Sequence, residues 1–550
     1  MDLLKNIHET LVNEKNQGSP QIEACDLFNL GLDGLEGTFI ENNPLIRAQE
    51  IFTRARELIQ SAQSEVLISL YKFQSDSDGA LEIMRGLQFL SENRRQVKVR
   101  VVVNKKSGPA TLVGSSRKRP PIDYQEFQRQ DLEPFDINIA DHKHKFVNSN
   151  HSKVIVVDGK VAIVMSGDPS LKNNFTEDAW MEIGSIVHGG VVQSIRNHFV
   201  TLWSAENVSL NHGVTDKVML QQANIKKHYY RGGDGILYLG KSRSSDMLKR
   251  YASPYKIALL MLLEQASESV NLMCNNINDP DIINALAACV HRGVVVKVLV
   301  GRYHGETAES IPLAGGSNLK SLQKLMALSE GNGQENLLVH WACDKKGHLT
   351  QNMGAGTIHA KLVLVDSEYI LTGSSLPDLQ SCYHSRESDL LIRSKEHAQI
   401  YHDTIFYPVL NISISQDNYA DVQIVSREQI KRSLPHARDQ NTILMLIENY
   451  INMRERERRF YKFRRIFRGS SYDRTSKISA AIKLKMLVES DMRQSGQAPS
   501  FQEQLLYEWE IQDLEMTSSE LKALQDGLLK SLYLAVNQLR GEEIKISRIQ

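Results

Sequence analysis

The residues best suited to chemistry occur twice. His151 and Lys153 are followed by Asp158, and His359 and Lys361 by Asp366, with the same internal spacing. Each set opens a run of strand character, Val154 to Val157 and Leu362 to Val365, and reaches its Asp at a turn. Each then enters a second apolar run and ends in small polar residues, Ser166-Gly167-Asp168 and Gly373-Ser374-Ser375. Alternate side chains of a strand share a face, so each His should project beside its Lys. An imidazole next to a fixed positive charge suits phosphoryl transfer at a phosphodiester. One neutral imidazole can attack phosphorus while the other, protonated, donates to the leaving oxygen, and two lysines hold the non-bridging oxygens. These steps call for no metal and no cofactor.

The elements that must position these residues repeat as well. Helical Arg54 to Ala62, strand Val66 to Tyr71, a helix near Ala80 to Leu90 and strand Val97 to Val103 lead to the first motif. Leu259 to Ser267, Val270 to Met273, Pro280 to His291 and Val294 to Val300 lead to the second. Strands alternating with helices at this spacing predict an α/β fold, a crossover sheet with helices on both faces. Two such halves, each giving one motif, would close a single cleft along a pseudo-twofold axis. The boundaries read as an N-terminal segment 1–45, a first lobe 46–210, a linker 211–253, a second lobe 254–420 and a helical region 421–550. In the linker, Tyr229 to Gly235 and Gly240-Lys241-Ser242 break every periodicity and read as a connector. The last of these triplets lacks the upstream glycines of a phosphate-binding loop.

The doubled motif resembles that of the phospholipase D superfamily, H-x-K-x4-D-x6-G-S-x-N, over roughly residues 46 to 420. Gly373 and Ser374 occupy the Gly-Ser positions of the second copy, with Leu376 at the Asn position. The first copy has Met165, Ser166 and Asp168 at the Gly, Ser and Asn positions. The resemblance implies two pseudo-symmetric phospholipase D-like α/β/α lobes forming one cleft, with an α-helical C-terminal extension. It also implies a two-step reaction through a phosphohistidine. An acidic partner should fix the tautomer of each imidazole. The family places one about thirty residues after the His, where Glu182 follows His151 and Glu387 follows His359. The catalytic set is then His151, Lys153, Asp158, His359, Lys361 and Asp366, supported by Ser166, Asp168, Glu182, Ser374 and Glu387. Within it His151 is the expected nucleophile and His359 the acid and base. Lys153 and Lys361 are expected to bind phosphoryl oxygens, and Asp158 and Asp366 to fix the turn after each motif strand.

With 550 residues, 41% hydrophobic and 24% charged, the chain can bury two or three cores. A net charge of zero argues against nucleic-acid binding through bulk charge. The cysteines, Cys25, Cys274, Cys289, Cys343 and Cys382, are odd in number and without CxxC spacing, which fits a reducing compartment. No run approaches the roughly 18 apolar residues of a spanning helix. The N-terminus carries no signal pattern and the C-terminus no prenylation Cys, so a cytoplasmic or peripheral-membrane location is expected. A helical tail on such a core also resembles phospholipase D enzymes that intracellular bacteria inject into host cells.

Tyr71-Lys72-Phe73 and Cys274-Asn275-Asn276 follow the first strand of each half, where the family has cleft-mouth loops. His142 and His144 lack a Cys or acidic partner at metal-ligand spacing. In the tail, Leu521, Leu524, Leu528, Leu532, Ala535 and Leu539 recur at helical spacing behind the capping box Thr517-x-x-Glu520. Arg454 to Arg468 holds eight Arg or Lys against two Glu, interleaved with Phe460, Tyr461, Phe463, Ile466 and Phe467. Such a helix either lies on an anionic membrane surface or packs by its aromatic face onto the catalytic body.

The expected activity is that of a phospholipase D, cleaving a glycerophospholipid to phosphatidic acid. A phosphatidyltransferase of the cardiolipin synthase kind would use the same residues with an alcohol as acceptor. A metal-independent phosphodiesterase nuclease is the reading with a different substrate, and a non-catalytic lipid-binding scaffold conflicts with two intact His-Lys pairs. One chain supplies both halves of the site, so no oligomer is needed to complete it.

Overall fold

The computed structural model describes residues 2–31, 37–93, 96–105, 136–143, 149–177, 179–205, 208–210, 220–223, 230–241, 251–302, 316–331, 333–343 and 357–415. His144, the basic-aromatic segment and the helical region 421–550 lie outside them.

Alternating helices and strands build a mixed α/β fold of two lobes with matching sheets. In the first sheet the strands lie in the order Val208–Leu210, Asp136–Lys143, Lys98–Lys105, Glu65–Leu70, Val154–Val157, Val161–Met165, Ile183–His188 and Phe39–Ile40. In the second the order is Ile22–Ala24, Gly235–Lys241, Glu387–Arg393, Tyr369–Gly373, Leu362–Val365, Ser269–Cys274, Val295–Val300, Leu337–Trp341 and Ile414–Ser415. Each motif strand therefore has the same neighbours, a hairpin partner on one side and the first strand of its lobe, antiparallel, on the other. The outer strands run parallel, Glu65–Leu70 beside Lys98–Lys105 and Ser269–Cys274 beside Val295–Val300. Parallel neighbours need a crossover, which helices Asp78–Glu92 and Pro280–His291 supply. Ser77 caps the first through its side chain and Asp279 the second, which also carries Pro280 in its first turn.

Both motif strands are buried along their whole length, as are the strands that follow them, which is why their sequences run continuously apolar instead of alternating. One hydrophobic core joins the lobes, with Leu67, Val154 and Val164 of the first packed in the same cluster as Tyr238, Leu362 and Leu390 of the second. A second cluster lies in the first lobe and includes Phe52 and Ile59 of helix Arg47–Ser61 with Leu87 and Ile83 of helix Asp78–Glu92. Burying a Val or Leu side chain stabilises by about 1.5–3 kcal/mol, so the shared core fixes the two sheets against each other.

The connector reading fails for Gly235–Lys241. This segment is a wholly buried strand hydrogen-bonded to Glu387–Arg393 on one side and to Ile22–Ala24 and Leu27–Asn29 on the other. Four residues between flanking glycines are too few to show a period, and a strand covered on both faces shows no alternation to find. The N-terminal segment likewise adds strands to both sheets, Ile22–Ala24 to the second and Phe39–Ile40 to the first, and its helix Leu3–Asn16, capped by the Asp2 carboxylate, buries Leu4, Ile7 and Leu11. No helix among the described residues is long and apolar enough to cross a membrane.

Candidate active site

Each motif strand is held at both ends. At its far end Asp158 sits at φ 53° and Asp366 at φ 50°, the left-handed conformation that Asp tolerates better than most residues. The Asp158 carboxylate accepts from the backbone N–H groups of Gln63, Ser64 and Glu65 at 2.7–3.1 Å and from Ser64 Oγ at 2.8 Å. Asp366 does the same for Ser267, Glu268 and Ser269. Both aspartates thus tie the motif turn to the start of the lobe's first strand. The full four-residue strand separates them from the histidines, so they belong to the scaffold and not to the reacting set. Burial alone would raise the Asp158 pKa, yet the backbone donors hold it below its ordinary value.

At the near end the lobes exchange backbone hydrogen bonds. His151 N donates to Arg386 O at 2.8 Å and Arg386 N to Ser149 O at 2.8 Å. His359 N donates to Met181 O at 2.9 Å, and Met181 N to Thr357 O at 2.9 Å. These paired bridges place each His against the segment that carries the other lobe's glutamate. His151 Nδ1 lies 3.0 Å from Glu387 Oε2, and His359 Nδ1 lies 2.8 Å from Glu182 Oε1. The same-half pairing of each His with the Glu about thirty residues later is therefore corrected to a crossed one. Chain spacing within a half is nearly equal for both glutamates and carries no information about which imidazole each one faces.

The two carboxylates are supported alike. Ser166 Oγ donates to Glu182 Oε2 at 2.6 Å, and Ser374 Oγ to Glu387 Oε2 at 2.6 Å. Asn173 Nδ2 reaches Glu182 Oε1 at 3.0 Å, and Ser381 Oγ reaches Glu387 Oε1 at 2.8 Å. Both glutamates are fully buried. Burying a carboxylate is costly unless every oxygen is paired, and these donors with the imidazoles meet that condition. Asn173 and Ser381 were not recognised in the sequence, although each stands seven places after its motif serine.

His and Lys do not stand on the strand itself, as the alternation argument supposed. The strand begins after the Lys, and each ammonium folds back, Lys153 Nζ to His151 O at 2.8 Å and Lys361 Nζ to His359 O at 2.5 Å. The environments then diverge. Lys153 Nζ lies 3.8 Å from Asp168 Oδ2, while Asp168 Oδ1 accepts from the Tyr71 and Lys72 N–H groups. Lys361 Nζ lies over the His359 ring, 2.9 Å from Nδ1 and 3.2 Å from Nε2. Nδ1 has one hydrogen-bonding position and the Glu182 carboxylate takes it, which leaves Nε2 for the lysine. Burial holds Lys361 down to about 8 and pushes Glu182 up. Burial also lowers His151, against the opposing pull of Glu387, and favours its neutral form.

The departures at the motif ends have a steric basis. Gly373 stands at φ 151°, and a Cβ there would lie 2.4 Å from Ser388 O and 2.5 Å from Asp389 Oδ1. Gly373 pairs with Asp389, whereas Met165 pairs with Gly184, so the small residue sits on the opposite strand in the first lobe. Leu376, at the Asn position, is buried and apolar, whereas Asp168 in the first copy anchors the loop after the first strand.

Sequence reasoning did not find two further features. Lys241, from the supposed connector, is buried with its ammonium on Ser381 O, and burial holds its pKa down to about 8 against the opposing charge of Glu387. A buried chain also runs from Glu23 through His198 at 2.9 Å, Tyr238 at 2.7 Å and Ser388 at 2.9 Å to Ser152 at 2.6 Å. Both rest on contacts between segments far apart in sequence. Of the histidines first considered as metal ligands, His142 lies on strand Asp136–Lys143, paired with Val208. Among the described residues no group of three or more His, Cys, Asp or Glu is arranged to hold a metal ion.

A family model described as cardiolipin synthase, phospholipase D-like domain, matches twice, over residues 55–203 and 259–406, just over half of the chain. Among curated proteins no relative matches. Of solved structures, a phosphatidylserine synthase from Haemophilus influenzae Rd KW20 is similar with a TM-score of 0.54 at 15% identity, covering 75% of this chain and 93% of that one. A polyphosphate kinase from Porphyromonas gingivalis aligns at TM-score 0.39 and 13% identity over 64% of this chain and 44% of that one. Nuc, a phospholipase D family member from Salmonella typhimurium, aligns at 0.25 and 16% identity over 33% of this chain and 98% of that one. The first shares the fold; the other two overlap too little to bear on the argument.

Proposed function

The chain belongs to the phospholipase D-like family, and from that premise we propose that it transfers the phosphatidyl group of a glycerophospholipid to water, releasing phosphatidic acid. The observation that carries the reading is the crossed pair of imidazoles, each with Nδ1 on a buried carboxylate of the other lobe.

His151 Nε2 attacks phosphorus, the P–N bond forms, and the bond from phosphorus to the headgroup oxygen breaks. His151 suits this step because burial favours its neutral form and Lys153 is turned toward Asp168 and the His151 carbonyl oxygen. The departing oxygen takes a proton from His359 Nε2, which lies 3.2 Å from the Lys361 ammonium. Water then gives a proton to His359 and attacks phosphorus, the P–N bond breaks, and His151 is regenerated. In this reading the two lysines hold the non-bridging oxygens as charge builds on them.

A second reading keeps every step but the last, with an alcohol in place of water, and the cardiolipin synthase description of the family model favours it. Wild type, His151→Ala and His359→Ala incubated with mixed phospholipid vesicles in EDTA, with lipids resolved by mass spectrometry, test both. Phosphatidic acid from wild type alone supports hydrolysis, and cardiolipin moves the protein to transfer. No lipid change sends the search to nucleic acid, as DNA cleavage under the same conditions.

A further inference from the structure

Each active-site glutamate has a cation set opposite it by the neighbouring segment of its sheet. Glu387 faces Lys241 across the antiparallel pair of Glu387–Arg393 and Gly235–Lys241. In the first lobe Gly184 faces Leu45 and Ile183 faces Ile46, and the register continues to Glu182 opposite Arg47, whose N–H donates to Glu182 O at 2.8 Å. Both cations lie outside residues 55–203 and 259–406, where the family model matches. The two side chains go different ways. Arg47 stands half-buried at φ 69°, and its guanidinium donates to Glu177 O at 3.2 Å. Lys241 is 1% exposed, and its ammonium donates to the carbonyl oxygen of Ser381, whose hydroxyl donates to Glu387 Oε1 at 2.8 Å.

Directly opposed residues of an antiparallel pair project to the same face of the sheet, so Lys241 and Glu387 extend side by side. Glu387 thus meets His151 Nδ1 through Oε2 and the residue that holds Lys241 through Oε1. The titratable groups around the ammonium are Glu387 and Asp389 of strand Glu387–Arg393, Asp378 at the cap of helix Leu379–Tyr383, and Cys382 within that helix. Tyr255 of helix Pro254–Gln265 faces the same aspartates and Cys382. Burial pushes the Tyr255 phenol and the Cys382 thiol well up, Asp378 to about 6 and Asp389 to about 7. Burial also pushes Glu387 up, but His151 and Lys153 bring it below its ordinary value. In the acid range Glu387 is therefore the carboxylate of the three that keeps its charge. Lys241, held down to about 8 by burial, is still a cation there.

We propose that Lys241 is a positioning residue of the His151–Glu387 pair, a fixed cation that keeps Glu387 ionised and turned to Nδ1 while His151 works as the nucleophile. The inference rests on the phosphatidyl-transfer reading and adds to it a residue from outside both motif halves. When His151 Nε2 bonds to phosphorus, the ring keeps its Nδ1 proton and becomes cationic, and the ionised Glu387 stabilises that charge. A proton gained by the pair beforehand removes either the free Nε2 or the counter-charge, and the Lys241 cation opposes that proton. Arg47, turned to Glu177 O, gives Glu182 no such support. The difference suits the roles, since His359 with Glu182 must take up and release a proton in each cycle while His151 must stay unprotonated at Nε2.

The test uses the full chain as wild type, Lys241→Met, Lys241→Gln and Lys241→Arg. One readout is the acid limb of kcat/KM on mixed phospholipid vesicles. The other needs no substrate: the NMR titration of the His151 ring, isotope-labelled at Cε1 and assigned by its loss in His151→Ala. Lys241→Met and Lys241→Gln should each raise both midpoints by about half a unit, because each removes the charge, and Lys241→Arg should leave them in place. Gln keeps a donor for Ser381 O, so it separates charge from hydrogen bond and serves where Lys241→Met does not fold. Added to Glu387→Gln, the same substitutions should move the midpoints far less, since the residue they act through is gone. A His151 midpoint equal to wild type in folded Lys241→Gln, an equal shift in the Gln and Arg variants, or a full shift in the Glu387→Gln background overturns the proposal. If wild type turns over no lipid yet the His151 titration moves as expected, the role of Lys241 stands and the lipid reading fails.

Discussion

His151 Nδ1 lies 3.0 Å from Oε2 of Glu387, a carboxylate 236 residues further along the chain and on the opposite lobe. The reciprocal bond joins His359 to Glu182. Neither half can assemble a complete imidazole-carboxylate pair from its own residues, so the shared core between the sheets is a condition of the chemistry as well as of stability.

The crossing predicts which glutamate governs which titration. The Glu387 charge raises the His151 pKa, so Glu387→Gln should move the acid limb of kcat/KM to lower pH while reducing kcat by about 10²-fold or more. Glu182→Gln should reduce kcat without moving that limb. A shift of the acid limb in Glu182→Gln and none in Glu387→Gln would show that the pairing runs within each half.

The pH profile of the wild type follows from the same groups. Burial lowers His151 below 6.5, so the nucleophile is neutral throughout the neutral range and the acid limb lies below that value. Lys361 serves as a cation, and burial holds it down to about 8, so activity should fall as pH rises through that region. Lys361→Arg keeps the charge and should carry the basic limb upward by a unit or more, read from kcat/KM between pH 5 and 10.

The scaffold aspartates should affect folding and leave the chemistry. Asp158→Ala removes the acceptor for three backbone N–H groups and should cost about 2 kcal/mol, seen in urea unfolding, with kcat of the folded fraction near wild type. Its pKa is depressed in the fold, so its contribution is present above the unfolded value and is lost as pH falls through the lower folded one. Asp158→Ala should therefore narrow the stability difference between neutral and strongly acidic pH.

Gly373 is fixed by backbone geometry. Gly373→Ala places a methyl against Ser388 O at a left-handed φ and should destabilise by roughly 2 kcal/mol, whereas Met165→Ala, on the first lobe's equivalent position, meets no such backbone. Thermal unfolding of the two variants compares them directly.

Much of this was legible in the sequence because the repeat exposes it. The motif strands Val154–Val157 and Leu362–Val365 stand where the apolar runs placed them, and helix Pro280–His291 begins at its Pro and ends at its His. The serine and glutamate of each half were visible as repeated offsets. The crossing was not, because an offset records distance along the chain and the partner is chosen by how two sheets pack. Strand Gly235–Lys241 was lost because burial on both faces erases the alternation that marks a strand. Tyr71 was read as part of a cleft-mouth loop and stands edge-on to His151, whereas the contact of Trp180 with His359 joins the two lobes and no spacing within one half records it.

Trapping the covalent intermediate tests the account most directly. Wild type mixed with phospholipid vesicles and quenched within one turnover, then digested under alkaline conditions that preserve phosphohistidine, should yield a phosphatidyl adduct on the peptide containing His151. The adduct should be absent in His151→Ala and should accumulate when His359→Ala is given a substrate whose leaving group needs no proton. An adduct on His359, or turnover with no adduct on either histidine, would contradict it.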